Sequence, residues 1–179
     1  MTTDVTQTGI TIITSLLTSG VVAALIPALI ERRKNKLSNQ LSALKSAITL
    51  EGYAIDCANA LSKHELAESS NGCAGTLLSR PLELPTFEID PSLLALSKGR
   101  VADSMLTLEQ EYQQANQTLE FLWDVSADPE ECVEEGRIQA RKLGALALAL
   151  ARDIRIASKL PKRAMNIGGF DVCKSLTEI

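Results

Sequence analysis

Cys57 and His64 lie seven residues apart, which places both on one face of a helix, and Cys73 follows nine residues later. A thiolate, an imidazole and a second thiolate could ligate zinc, and a thiol beside an imidazole could act as a nucleophile with its base. Both readings are weak on spacing. Zinc sites are usually built from two short-spaced ligand pairs, and Cys57, Cys73, Cys132 and Cys173 contain no CxxC. His64, the only histidine, lacks an orienting third residue and falls near a predicted helix C-terminus, where a cation is favoured anyway. Glu130, Glu131, Glu134 and Glu135 suggest a divalent-metal surface until their setting is read. They follow "SADP", in which Asp128 caps a helix and Pro129 opens it, and acids there serve the positive end of the helix. "NIGG" near the C-terminus has no preceding strand and no following Gly-Lys-Ser, so it is no phosphate loop. The expectation is a protein with no catalytic residue, no cofactor and no metal, and therefore not an enzyme. Its thiols should be reduced.

The elements that must position these residues are helical. Aromatic residues make up 3% of the 179-residue chain and apolar residues 45%, a composition that suits packed helices. From Gly9 to Ile30 there are 22 residues without a charge, and Arg32, Arg33, Lys34 and Lys36 follow at once. As a helix that run is about 33 Å long, matching a bilayer core. A signal peptide would carry its bases before a shorter run, and a buried core helix would be shorter with a charged face. Length and flanks favour a membrane span over both. The basic cluster then lies at the lipid headgroups on the cytoplasmic side, with the N-terminus outside.

Within the span, Thr11, Ser15 and Thr18 continue a hydroxyl face from Thr8, while Gly20, Ala24 and Ala28 form a small-residue ridge. Either could make a helix–helix contact, or the hydroxyls could simply bond their own backbone.

Beyond the span, one helix is predicted to about Glu68, with an apolar seam of Leu37, Leu41, Leu44, Ile48 and Ile55 that Gly52 weakens. "ESSNGCAG" stops it. Residues 69–91 hold Pro81, Pro85 and Pro91 and read as an extended crossing, strapped down by Leu82, Leu84, Phe87 and Ile89 and returning along the bundle. "DPSLLAL" suggests a short turn capped by Asp90. The next helix, about 99–125, buries Val101, Met105, Leu108, Tyr112, Ala115, Leu119 and Leu122 at alternating spacings of four and three. The last runs to about Leu160 along Gly136, Ala140, Leu143, Ala147, Leu150, Ile154 and Ala157. Lys142 and Arg152 bound only nine uncharged residues there, too few for a second span.

The expected fold is all-α: a transmembrane anchor (1–33), a cytoplasmic three-helix bundle with a long proline-containing crossing (34–160), and a flexible C-terminal tail (161–179). Residues 46–179 carry 13 bases against 20 acids, so nucleic acid is not an expected partner. Arg152, Arg155, Lys159, Lys162 and Arg163 form a second basic group, expected to turn toward the headgroups.

"LEGYAIDCANAL", "ESSNGCAG", the Leu-Pro-rich crossing and "FLWDV", over about residues 50 to 160, together resemble uncharacterised short bacterial membrane-anchored helical proteins. The resemblance implies a membrane anchor and carries over no activity, cofactor or catalytic residue; the address expected from the span is the inner membrane, crossed once. The reading is a membrane-anchored binding, scaffold or regulatory protein that self-associates or holds another membrane protein at the bilayer, with no small-molecule substrate identifiable. The alternative is a small oligomeric pore lined by the hydroxyl face.

Overall fold

A computed structural model describes residues 20–87, 99–126 and 128–177. The described residues are all-α apart from one short hairpin: α1 Gly20–Ser69, α2 Arg100–Val125, α3 Pro129–Ala157, β1 Asn166–Ile167, β2 Phe170–Asp171 and α4 Val172–Thr177. The chain divides into two compact units, residues 1–40 and 41–179.

In the first unit, the described residues are helical from Gly20 onward, with Pro27 inside the helix. No helix among the described residues is long and apolar enough to cross a membrane. Residues 9–19 of the expected span, with Thr11, Ser15 and Thr18, lie outside the described residues.

In the second unit, the buried face of α1 is Ala43, Ala47, Leu50, Ala54, Cys57, Leu61 and His64, an unbroken alternation of four and three. This corrects the expected seam, because Leu37, Leu41 and Ile48 are 68%, 55% and 46% exposed. The expected seam follows the larger residues. Small ones face the core because they admit α3 at close range. A Cβ on Gly144 would stand 2.8 Å from the Cys57 Cβ, closer than atoms pack.

α2 and α3 follow the sequence pattern. Val101, Met105, Leu108, Ala115 and Leu119 are buried on α2, and Gly136, Ala140, Leu143, Ala147, Leu150 and Ile154 on α3. The pair is antiparallel, with Arg100 meeting Asp153 and Glu111 meeting Lys142. Asp128 caps α3 as expected, accepting from the Glu130 N–H at 2.9 Å, with Pro129 in the first turn.

The described part of the crossing, residues 76–87, is extended and runs back along α1. The Thr76 N–H donates to the Lys63 carbonyl, and the Tyr53 hydroxyl donates to the Leu82 carbonyl. Gly75 makes the reversal possible: its φ is +85°, and a Cβ there would run into the Lys63 and Ala67 backbone. Ile89, Asp90 and Pro91 lie outside the described residues.

Residues 166–177 correct the expectation of a flexible tail. Gly168 and Gly169 both have positive φ (58° and 88°), the geometry of a tight hairpin turn, and join β1 to β2 antiparallel. α4 then buries Val172 and Leu176. The Gly-Gly dipeptide between "MNI" and "FDV" is a hairpin signal, and apolar residues on both sides give the segment a core to join.

Candidate functional site

Glu51 sits one residue after Leu50 on the buried face of α1, and its side chain is 3% exposed. A carboxylate loses much of its hydration there and needs compensation. α3 supplies it. Arg155 follows the core residue Ile154, and its Nε and Nη2 donate to the two Glu51 oxygens at 2.5 and 3.0 Å. The remaining Arg155 nitrogen, Nη1, donates to the Pro161 carbonyl at 3.0 Å. Arg163, beyond the end of α3, adds a third bond to Glu51 through Nη1 at 3.0 Å. Burial pushes the Glu51 carboxyl upward, but the hydrogen bonds and charges of Arg155 and Arg163 outweigh it and hold the group below its ordinary value of 4.5. Hydrogen bonding to Glu51 raises Arg155 in turn.

One carboxylate facing two guanidiniums leaves an uncompensated positive charge, and the surroundings add to it. A cavity of about 590 Å³ opens beside the network between Glu51, the last turns of α3 and the segment to Met165. Arg152, Lys159 and Lys162 join Arg155 and Arg163 on its wall, and among the described residues Glu51 is the only acid there. Leu148, Ile156, Leu160 and Met165 supply apolar surface. Arg152 and Lys162 are exposed. The arrangement can bind an anion that carries an apolar part. Arg155 itself is buried against Glu51, while the other bases of the group stand further out.

The opposite end of the unit is held by His64. The ring is fully buried, and its Nδ1 accepts from the Leu78 N–H at 3.3 Å, which assigns the proton to Nε2. Nε2 lies 3.3 Å from the Glu68 carboxylate. That contact is close in distance but is too poorly aligned to be a hydrogen bond, which leaves Nε2 without one. Trp123 Nε1 donates to the Ser79 carbonyl at 3.2 Å, a third side chain tying the crossing down. His64 is therefore a strap anchor. Cys57 is buried and Cys73 exposed, and no group of three or more His, Cys, Asp or Glu among the described residues is placed to hold a metal.

The acids at the start of α3 serve local contacts: Glu131 accepts from the Ser126 hydroxyl, Glu134 from Arg137 and Glu135 from Gln139. Ala28, Arg32, Arg33, Lys34 and Lys36 are exposed on α1, and Gly20 and Ala24 belong to the same helix.

Sequence reasoning missed Glu51 and found Arg155 and Arg163 only as members of a basic group. The available signal was an acid directly after the core position Leu50 of α1 and an arginine directly after the core position Ile154 of α3, opposite charges on two faces that must pack together. No family model matches this chain, and neither the curated proteins nor the solved structures yield a match.

Proposed function

We propose that the protein is a single-pass membrane-anchored binding or scaffold protein that self-associates through α1 and holds its helical bundle at the cytoplasmic face. The carrying observation is the apolar surface that α1 leaves uncovered: Ile26, Leu29 and Ile30 before the basic cluster, and Leu37, Leu41 and Ile48 after it. Clustered exposed apolar side chains need a cover. For the first group that cover is lipid, as the last turns of a span from Gly9 to Ile30. For the second it is another copy of α1, because Leu37, Leu41, Leu44 and Ile48 repeat at the spacing of a two-stranded coiled coil. The small-residue ridge of Gly20, Ala24 and Ala28 would continue that contact within the bilayer.

The bundle has a basic end and an acidic end. Arg155 adjoins Glu51, whereas Pro129 and Glu130 share a cavity wall with Ala67 and Glu68, further along α1. In this reading the basic end faces the anionic headgroups, and Lys159 lies nearer the membrane than Asp128.

Disulfide crosslinking of an engineered Leu37→Cys pair in native membranes tests self-association. Crosslinked dimer is expected, and Leu41→Asn together with Ile48→Asn should abolish it. Monomer in the parent protein would overturn the self-association. Alkaline phosphatase activity from a fusion after Ile179 would overturn the topology, since that enzyme is active only outside the cytoplasm.

A further inference from the structure

We propose that the cavity at the carboxyl end of α3 is a binding site for a phosphomonoester attached to an apolar group. The inference is independent of self-association.

Charge sets the ligand class. Glu51 occupies the inner bonds of Arg155 and Arg163, and Arg152 leans on the Cys173 sulfur at 2.8 Å. Among the described residues neither Lys159 nor Lys162 is paired with a carboxylate. Two ammonium groups beside a guanidinium pair that already holds one excess charge suit a dianion better than a single carboxylate. A phosphomonoester carries a charge of about −1.5 to −2 at neutral pH and offers three acceptor oxygens. Leu148, Ile156, Leu160 and Met165 provide the wall for its apolar part, and the volume falls within the ~300–1,000 Å³ usual for ligand pockets.

Cations near the end of a helix are favoured by its dipole, and that alone would account for a basic residue at position 159. It does not account for the backbone. α3 ends with the Leu160 N–H donating to the Arg155 carbonyl and the Lys159 N–H to the Ile156 carbonyl, which forces Lys159 to a φ of +55°. α1 closes with the same pair of bonds, Gly72 to Ala67 and Asn71 to Glu68, and there the left-handed position is held by Asn71. Glycine and asparagine enter that region easily, and lysine does so at a cost. A strained lysine on the rim of a cationic cavity indicates that its ammonium group is needed there. Glu51 is a positioning residue that fixes Arg155 and Arg163 from beneath.

The two demands on Lys159 pull in opposite directions, and the test uses that. Binding of hexyl phosphate to the full-length protein in a neutral maltoside detergent is measured by calorimetry, with hexanol and inorganic phosphate as controls. Hexyl phosphate is expected to bind saturably, more tightly than inorganic phosphate, and hexanol not at all. Lys159→Gly should weaken binding about tenfold, the scale of one charge-assisted hydrogen bond, while raising the melting temperature by about 2–4 °C as backbone strain is released. Lys162→Ala should weaken binding to a similar degree. Absence of saturable hexyl phosphate binding would overturn the proposal, as would affinities unchanged in both variants. Repeating the titration in phosphatidylcholine nanodiscs with and without phosphatidic acid identifies the source. Competition by the lipid supports a headgroup as the ligand, and hexyl phosphate binding without competition supports a soluble phosphoester. The same titration with Leu41→Asn and Ile48→Asn present separates loss of the site from loss of the dimer.

Discussion

Arg155 grips Glu51 with two nitrogens across 104 residues of chain, and this pair joins α1 to α3 at the basic end of the bundle. Removing one partner leaves the other charged and buried, which costs about 3–5 kcal/mol, whereas replacing both with apolar residues of similar size can be close to neutral. Glu51→Ala should therefore destabilise the full-length protein strongly in urea unfolding followed by Trp123 fluorescence. Glu51→Leu combined with Arg155→Met should recover most of the loss. A double variant as unstable as the two single losses combined would show that the pair does not act as a unit.

The same carboxylate makes the fold sensitive to acid. Its folded pKa lies below the ordinary 4.5, so the unfolded chain takes up a proton first as pH falls. Stability from Glu51 is complete above that ordinary value and is lost as pH drops through the lower folded one. Unfolding midpoints measured from pH 7 to pH 3 should fall below about pH 4.5. In Glu51→Gln that part of the fall should be absent, though stability at neutral pH is lower. An acid profile unchanged by Glu51→Gln would assign the effect to other carboxylates.

The crossing should be sensitive to a single methyl group. Gly136 lies where the chain passes over α3, and a Cβ there would run into the Leu78 carbonyl. Alanine would favour the helix by about 1 kcal/mol, but overpacking costs about 1–3 kcal/mol, and backbone on both sides leaves little room to yield. Gly136→Ala should therefore destabilise, and exchange of the Leu78 amide hydrogen should speed up because its bond to His64 is strained. His64→Ala should accelerate the same amide by removing its acceptor. Slower exchange in Gly136→Ala would mean that helix propensity wins.

α2 and α3 were legible because the buried positions of each, large and small, fall on one apolar stripe with alternating spacings of four and three, so periodicity and burial coincide. On α1 the two separate. The inward face carries Ala43, Ala47, Ala54 and Cys57, while the leucines at 37 and 41 point outward, so a reading that weights side-chain size selects the wrong stripe. The Glu51–Arg155–Arg163 network was hidden for a different reason. Its partners are more than a hundred residues apart, and only the antiparallel pairing of α1 with α3 and the turn after α3 bring them together. The ordered tail was missed because its hairpin and helix are each too short to show a period.

The thiols should separate by environment. Cys57 is fully buried; burial pushes its thiol up to about 12, with Asp56 adding to the effect and the Tyr53 hydroxyl opposing it. Little thiolate exists there at neutral pH, and the thiolate is the reactive form. Cys73 is exposed on the turn after α1. Alkylation of the native protein by iodoacetamide, followed by peptide mass spectrometry, should label Cys73 first and Cys57 only after unfolding. Early labelling at Cys57 would contradict the packing of α1 against α3.

The C-terminal helix should prove coupled to the bundle core through Gly144. A Cβ at this position would come within 2.7 Å of Leu176 Cδ2 and 2.8 Å of the Cys57 Cβ, one contact from α4 and one from α1. Gly144→Ala must displace both and should destabilise by about 1–3 kcal/mol. Leu176→Ala empties a buried site and should cost about 2–5 kcal/mol. In the double variant the leucine methyl is gone, the new alanine fills part of the space, and only the Cys57 contact is left to resist. Its cost should fall short of the sum by about 0.5–3 kcal/mol, the range for residues in direct contact. Strict additivity in that cycle would mean that α4 does not rest on α3 at Gly144.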